Sequence, residues 1–304
     1  MTTTTGYLVL GTRPEDIKLY PVKKALNCKS VWTNQSPDLR QNLIKHDFEV
    51  SLNNLSKFLL ENRPKWVMVQ GDTRTALYGA LKAFECNIPV IHLEAGMRSF
   101  NLSNPFPEEG YRCMISEIAS VHLCSTPQSA LNLQGKQNVY VVGQTSIDTL
   151  KEFMPEISDE GYAVVTIHRH EVDISRIIPE LKEIEKLIPL KIFAHPNSKG
   201  QELRKHFKCL DPLPYRDFIK VLAKAKIIIS DSGGIQEEAP YLNKPLIIAR
   251  ETTERPEILQ TGGAVLAGYN LFEATKYALE NNITHSHSPF GEGKASQIIK
   301  AILS

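Results

Sequence analysis

Short runs of β-branched and aliphatic residues alternate with amphipathic segments along most of the chain. This pattern is typical of βα units that stack into parallel sheets. In the first half, the predicted strands are Tyr7–Leu10, Ser30–Thr33, Trp66–Gln70, Pro89–Leu93, Val121–Cys124 and Val139–Val142. In the second half, they are Ala163–Ile167, Leu190–Ala194, Lys226–Ile229, Pro245–Ile248 and Ala264–Leu266. This number of strands favours two doubly wound α/β domains over one.

The periodicity is interrupted in the polar stretch Phe153–Gly161, which contains a proline and a glycine. We therefore expect an N-terminal domain over residues 1–152 and a C-terminal domain over residues 153–292. A last helix is predicted over Gly293–Ile302. Two such domains, facing a central cleft, would bring the carboxyl ends of their strands to one place, and ligands bind at those ends in open α/β sheets.

Composition narrows the class of protein. With 304 residues, 42% of them hydrophobic and 23% charged, the chain is long enough for two separate cores. A net charge of +1 indicates no nucleic-acid or anionic-membrane partner. The five cysteines include no CxxC pair, which argues against a disulfide framework or a thiolate metal site and favours a reducing cytoplasm. We find no leader or membrane-spanning pattern, so a cytoplasmic protein is expected.

The segment Asp231–Glu238 follows the apolar run Ile227–Ile229 and contains two adjacent glycines. A buried strand is therefore expected to end and a helix to begin at Gly233 and Gly234. Free N–H groups at a helix start attract anions, and glycine lets an anion approach closely. The segment predicts a phosphate site, and Glu238, farther along the helix, is placed to bind a pair of sugar hydroxyls.

Charged residues also follow strands in the first half. Arg13 follows the first strand and is suited to phosphate, although a surface Arg is the simpler interpretation of that motif alone. Asp72 follows another strand, and by itself it reads more simply as a helix cap. Glu94 follows a third, where an unpaired carboxylate would be costly. Either Glu108 or Glu109 fits a helix N-terminus, but three carboxylate-bearing turns at one expected edge favour an acid–base set.

Histidines follow strands in the second half. His168 is placed to contact a phosphate or to supply a proton near neutral pH. Zinc binding by His168 with His170 is disfavoured, because no third ligand is near. His195 is at least as well explained by a structural role, and His285 and His287 read as solvated loop residues. The chain has no Asp-x-Asp pair, so no metal clamp for a diphosphate is expected.

Taken together, the motifs strongly resemble the UDP-N-acetylglucosamine 2-epimerase family. The resemblance is carried by Gly11–Glu15, Gly71–Thr73, His92–Arg98, Pro107–Glu109, His168-Arg169, Asp231–Pro240, Thr252–Glu257 and Gly291–Ala295. The family implies two Rossmann-like domains in a glycosyltransferase-B arrangement, with the last helix, residues 293–304, packing back on the first domain. It also implies a homodimer, a UDP-sugar substrate, no cofactor and no metal.

The resemblance assigns roles by motif. It makes Asp72, Glu94 and Glu108 the catalytic carboxylates, with His168 assisting at the phosphate. Arg13, Ser232, Gly233 and Gly234 would bind the diphosphate, and Glu238 would bind the ribose.

Several functions stay open. The first expectation is interconversion of UDP-N-acetylglucosamine and UDP-N-acetylmannosamine through a 2-acetamidoglucal. The second is a hydrolysing relative that releases UDP and free N-acetylmannosamine or a modified analogue. The bacterial non-hydrolysing members carry a Gln-His-Arg motif where this chain reads Gln35-Ser36-Pro37-Asp38, so activation by a second substrate molecule is not expected. A glycosyltransferase would not need three carboxylates, and a silent UDP-sugar-binding protein would need neither them nor His168.

Overall fold

The computed structural model describes residues 5–35, 43–169 and 171–304. The chain divides into two compact units: the N-terminal unit contains Met1–Thr149 and Phe290–Ser304, and the C-terminal unit contains Leu150–Pro289. Each unit is an α/β domain built on a parallel sheet, as the alternating pattern predicts. His170 and most of the segment that replaces the Gln-His-Arg motif lie outside the described residues.

A seven-stranded sheet forms the centre of the N-terminal unit. Its strands are β1 (Tyr7–Leu10), β2 (Lys29–Trp32), β3 (Phe48–Glu49), β4 (Val67–Gln70), β5 (Val90–Ala95), β6 (Val121–Cys124) and β7 (Val139–Val141). They lie side by side in the order β3-β2-β1-β4-β5-β6-β7, so the direction of winding reverses between β1 and β4. The helices that begin in this part of the chain are α1 (Arg13–Leu26), α2 (Leu55–Asn62), α3 (Arg74–Glu85), α4 (Glu108–Ile118), α5 (Pro127–Leu131) and α6 (Thr145–Glu152).

Strand β1 is apolar at every position because both of its faces are buried. Tyr7 and Val9 contribute to one hydrophobic cluster, and Leu8 and Leu10 contribute to another on the opposite side of the sheet. All four side chains are buried. Successive side chains point to opposite faces of a strand, and a parallel sheet is covered by helices on both faces, so both sets must be apolar.

A six-stranded sheet forms the centre of the C-terminal unit. Its strands are β8 (Ala163–Thr166), β9 (Leu190–Phe193), β10 (Cys209–Leu210), β11 (Ile227–Ser230), β12 (Leu246–Ile248) and β13 (Ala264–Leu266). Their order is β10-β9-β8-β11-β12-β13, with the reversal between β8 and β11. The helices are α7 (Ile174–Glu185), α8 (Ser198–His206), α9 (Tyr215–Lys224), α10 (Gly233–Tyr241) and α11 (Leu271–Asn281).

The last helix, α12 (Ala295–Leu303), packs on the N-terminal unit. The carboxylate of Asp148 accepts the N–H groups of Ala295 and Ser296 at 3.0 and 2.8 Å, and the Ser296 hydroxyl at 2.6 Å. Ile299 is fully buried in the same cluster as Leu8. An aspartate from elsewhere in the chain therefore caps this helix, since an N-cap side chain of its own is missing.

The strand that carries Glu94 differs from its predicted form. It runs from Val90 to Ala95 and does not end at Leu93. Its pairing with β6 shifts between Leu93 and Ala95, and Glu94 adopts a left-handed conformation with φ of +64°. Glu94 is thus the extra residue of a β-bulge, which redirects the side chain. The two-residue edge strands β3 and β10 are too short to leave a pattern in the sequence.

The expectation that His285 is solvated is wrong. Its side chain is buried, with Nδ1 2.6 Å from the Thr261 hydroxyl and Nε2 3.0 Å from the carbonyl oxygen of Lys244. His287, two residues later, is exposed as expected. Burial lowers the pKa of His285 to about 4, so the ring stays neutral at neutral pH.

Acid should therefore destabilise the C-terminal unit through His285. Between pH 6.5 and about 4 the unfolded chain takes up a proton that the folded chain does not, so the unfolding free energy falls as pH falls through this range. At pH 5 the loss from this group is about 2 kcal/mol. Urea unfolding of His285→Gln at pH 7 and pH 5 should show a smaller loss than the wild type. His287→Gln, the exposed control, should behave as the wild type, and an equal loss in both variants would contradict the assignment.

Candidate active site

The residues expected to carry chemistry lie mainly at the two positions where the strand order reverses. In the N-terminal unit, the turns after β1 and β4 hold Arg13 and Asp72. In the C-terminal unit, the turns after β8 and β11 hold His168 and the start of α10. Adjacent turns at such a reversal diverge to opposite faces of the sheet and leave a crevice, which is where open α/β sheets bind ligands.

Asp72 is not a helix cap. The cap of α3 is Thr73, whose hydroxyl accepts the N–H of Ala76 at 3.0 Å. The Asp72 carboxylate instead accepts a hydrogen bond from Nε of Arg112 at 2.7 Å, and Nη2 of the same guanidinium lies 2.6 Å from the same oxygen. The Asp72 side chain is 27% exposed. This carboxylate at the edge of the sheet is therefore both paired and accessible.

Glu94 is buried at the bulge of β5, with 7% of its side chain exposed. Lys18 of α1 forms an ion pair with its Oε2, and the side-chain amide of Gln70, at the end of β4, donates to the same oxygen at 2.6 Å. The left-handed backbone of Glu94 is strained. Such strain persists only where the surrounding contacts fix the residue, and it is common at active sites. Three elements thus fix this carboxylate in place.

The structure separates Glu108 from Glu109, the first two residues of α4. Glu109 is buried, and it accepts the N–H groups of Ser99 and Phe100 at 3.0 and 3.1 Å and Arg112 Nη1 at 3.0 Å. Glu108 is partly exposed, yet its Oε2 is buried without a hydrogen-bond partner among the described residues. Glu109 therefore has the structural role, whereas one carboxylate oxygen of Glu108 is left unsatisfied by the described residues.

In the C-terminal unit, Asp231 fixes His168. Its Oδ2 accepts the backbone N–H groups of His168 and Arg169, both at 2.8 Å, and its Oδ1 lies 3.0 Å from Nδ1 of His168. Burial alone would raise the pKa of Asp231, but the hydrogen bonds from His168 and Arg169 outweigh it and hold the pKa below its ordinary value. The ionised Asp231 thus orients Nδ1 of His168 toward itself, which leaves Nε2 of a ring 38% exposed for other contacts.

Helix α10 begins where the sequence predicts. Ser232 occupies the N-cap position but its side chain makes no capping hydrogen bond, so the first N–H groups are left for another partner. A Cβ on Gly233 would lie 2.7 Å from Nη1 of Arg255, whereas a Cβ on Gly234 would meet only the Ser232 hydroxyl, at 3.9 Å. Arg255 is held by the buried Glu237, whose Oε1 accepts from Nε and Nη2 at 2.8 and 2.6 Å. A guanidinium therefore lies directly against the helix start.

Glu238 is buried on the same helix, with Oε1 accepting the hydroxyl of Tyr215 at 2.9 Å. Tyr215 is the first residue of α9. Its hydroxyl limits the rotation of the carboxylate, so the direction of Glu238 is defined before any ligand arrives.

Sequence reasoning missed the partners of these groups. Lys18, Gln70, Arg112, Tyr215 and Arg255 each hold one of the expected residues or lie against it. Lys18 comes five residues after Arg13, a spacing that a helix does not bring to one face, so it gave no signal. Arg112 follows Glu108 and Glu109 at helical spacing and could have been noted as their partner. Tyr215 gave no signal.

The described residues match no pattern of a metal site, a membrane-spanning helix or a disulfide. Within residues 5–35, 43–169 and 171–304, no group of three His, Cys, Asp or Glu side chains is arranged to hold a metal ion. In the same part of the chain, no helix has the length and apolar character needed to cross a bilayer. All five cysteines are free thiols.

Two Rossmann-like sheets, one with carboxylates at the ends of its strands and one with an uncapped helix start there, are the arrangement expected of an enzyme that acts on a nucleotide-sugar. A sequence model of the UDP-N-acetylglucosamine 2-epimerase family matches residues 22–304. The UDP-N-acetylglucosamine 2-epimerase of Salmonella borreze is 32% identical, over 96% of each chain. The chain belongs to the UDP-N-acetylglucosamine 2-epimerase family, a family of isomerases.

Solved structures agree with this membership. The UDP-GlcNAc 2-epimerase of Neisseria meningitidis bound to UDP-GlcNAc superposes with a TM-score of 0.90 at 32% identity, covering 98% of this chain and 99% of that one. The Methanocaldococcus jannaschii enzyme in complex with UDP-GlcNAc and UDP gives 0.87 at 30% identity, with the same coverage. The alignment with the Salmonella borreze protein runs over 361 positions, more than the 304 residues here, so that relative has segments that this chain lacks.

Proposed function

We propose that the protein interconverts UDP-N-acetylglucosamine and UDP-N-acetylmannosamine by eliminating UDP and adding it back. Family membership supports this activity, and so do related enzymes whose structures contain UDP-GlcNAc. The observation that carries the proposal is the environment of Glu94. Its carboxylate is buried, contacts Lys18 and Gln70, and lies at a strained bulge.

The chemistry at C2 explains the need for such a group. The C2 proton of the sugar is not next to a carbonyl, so its removal to a free carbanion would be prohibitive. In the proposed step a carboxylate takes that proton, the C2–H electrons form the C1–C2 double bond, and the C1–O bond breaks with its electrons leaving on UDP. The product is a 2-acetamidoglucal. UDP oxygen then adds back to C1 while a proton is delivered to the opposite face of C2.

Delivery to either face requires more than one acid–base group. We assign this work to Asp72, Glu94 and Glu108. Asp72 is paired but accessible, Glu94 is buried and fixed, and Glu108 has a carboxylate oxygen without a protein partner among the residues described. The three carboxylates therefore differ in burial and in hydrogen-bond partners, as groups with separate acid and base roles would.

The departing UDP needs positive charge and hydrogen-bond donors. We assign the diphosphate to Arg13, to Ser232 and to the uncapped start of α10 at Gly233 and Gly234. His168, oriented by the ionised Asp231, would direct Nε2 toward the leaving phosphate and would donate to it as the doubly protonated imidazolium. We assign the ribose hydroxyls to Glu238.

The proposal is tested by incubating the protein with UDP-N-acetylglucosamine in deuterated water and following the sugar by NMR. Deuterium at C2 of a nucleotide-linked mannose isomer is the expected result. Free N-acetylmannosamine with UDP would instead identify a hydrolysing enzyme, in which water adds to the same glycal. Binding of UDP-N-acetylglucosamine without exchange or turnover would contradict both catalytic functions for this substrate.

A further inference from the structure

Glu15 is a wholly buried carboxylate to which the proposed reaction gives no part. It is the third residue of α1 and forms a capping box with Thr12. Its Oε2 accepts three hydrogen bonds at 2.8 Å: from the N–H of Gly11, and from the N–H and the hydroxyl of Thr12. A capping box by itself explains these contacts but not the burial, since a glutamate or glutamine can perform it at a solvent-exposed helix start.

The other oxygen of Glu15 reaches a different turn. Oε1 accepts the hydroxyl of Thr73 at 2.6 Å, across 58 positions of sequence. Thr73 lies in the turn after β4, which is the neighbour of β1 in the sheet. The same hydroxyl accepts the N–H of Ala76 and so caps α3. One carboxylate therefore ties together the two turns that flank the reversal of strand order.

Those two turns carry proposed functional groups. Arg13 follows Thr12 directly, and Asp72 precedes Thr73 directly. On its other side, the Asp72 turn is held by Gly71, whose N–H donates to the carbonyl of Leu93 at 2.9 Å and whose own carbonyl lies 2.8 Å from Nε2 of His92. Asp72 is thus fixed between an anchor at Gly71 and an anchor at Thr73, and the second anchor depends on Glu15.

We propose that Glu15 is a positioning residue that holds Thr73, and through it the Asp72 turn, in the geometry required for proton transfer at C2. This inference rests on the proposed function. Burial raises the pKa of Glu15 to about 7 against the opposing hydrogen bonds from Thr73, Gly11 and Thr12. The carboxylate is nevertheless kept at this position, with Thr12 of one turn and Thr73 of the other hydrogen-bonded to it.

The test is a double-mutant cycle between Glu15 and Thr73. Thr73→Val removes the hydroxyl that links the turns, and Thr73→Ser keeps it. Glu15→Gln keeps an acceptor oxygen for the capping box but places an NH2 group, a donor, against the Thr73 hydroxyl, so the hydroxyl proton loses its acceptor and the link can form only in the reverse direction. Leu81→Gly is the control for stability, because it weakens the exposed side of α3, the helix that Thr73 caps, without touching either turn.

We expect Thr73→Val to lower kcat about tenfold and Glu15→Gln to lower it at least about threefold, with UDP affinity unchanged. Thr73→Ser should keep the wild-type kcat, and the double variant should be no slower than Thr73→Val alone. Leu81→Gly should lower the thermal midpoint but not kcat. Unchanged kcat in Thr73→Val, or losses that multiply in the double variant, would overturn the positioning role alone. A wild type without exchange or turnover would overturn the proposed function and this role with it.

Discussion

Glu94→Gln is expected to keep UDP affinity and to lose exchange of the C2 proton with solvent, with kcat lowered by about 10²- to 10⁴-fold. The amide has nearly the shape of the carboxylate, so Lys18 and Gln70 keep a neighbour in the same place. It cannot take up a proton at any useful pH, however, and the proposed elimination then has no base at this position. Deuterium incorporation at C2 measures the loss directly, and calorimetric titration with UDP measures the affinity that should remain.

The matched control is Glu117→Gln. Glu117 is exposed on α4 and paired with Lys136, so the same change of charge falls in the same domain without altering the buried group. Exchange and turnover should be those of the wild type. If Glu94→Gln exchanges as fast as Glu117→Gln, Glu94 has no part in the proton transfer and the assignment passes to Asp72 or Glu108.

Much of this architecture could be predicted because its causes are local. A strand buried on both faces is apolar along most of its length, so β1, β4 and β11 are recognisable as short aliphatic runs, although β4 ends at Gln70 and β11 at Ser230. The glycines that follow β11 mark the helix start, and Pro14 marks the first turn of α1. Such signals locate the end of each strand, and therefore the edge at which ligands bind.

The partners in the site could not be predicted, because they depend on contacts between distant segments. Arg112 pairs with Glu109 at helical spacing, but only the folded sheet brings Asp72, 40 positions earlier, to the same guanidinium. The bulge at Glu94 is a shift in register against β6, which no periodicity within β5 reveals. His285 is buried by packing, although its own segment is polar.

Gly233→Ala is expected to weaken UDP binding by more than about 100-fold, equivalent to about 3 kcal/mol. The added methyl would lie 2.7 Å from Nη1 and 2.9 Å from Cζ of Arg255. That guanidinium cannot simply swing away, because the buried Glu237 accepts two of its hydrogen bonds. The variant must therefore displace either Arg255 or the first turn of α10, and both changes disturb the N–H groups assigned to the diphosphate.

Gly234→Ala tests the loss of UDP affinity separately from any loss of stability. Its methyl would meet only the Ser232 hydroxyl, at an ordinary 3.9 Å, so the thermal midpoint should be at or above that of the wild type. If a diphosphate approaches the helix start closely, the methyl obstructs it, and UDP affinity should fall although the fold is intact. Wild-type UDP affinity in both variants would show that the start of α10 does not bind UDP. Loss in Gly233→Ala alone would mean that the contact depends on the position of Arg255 and not on the open backbone at Gly234.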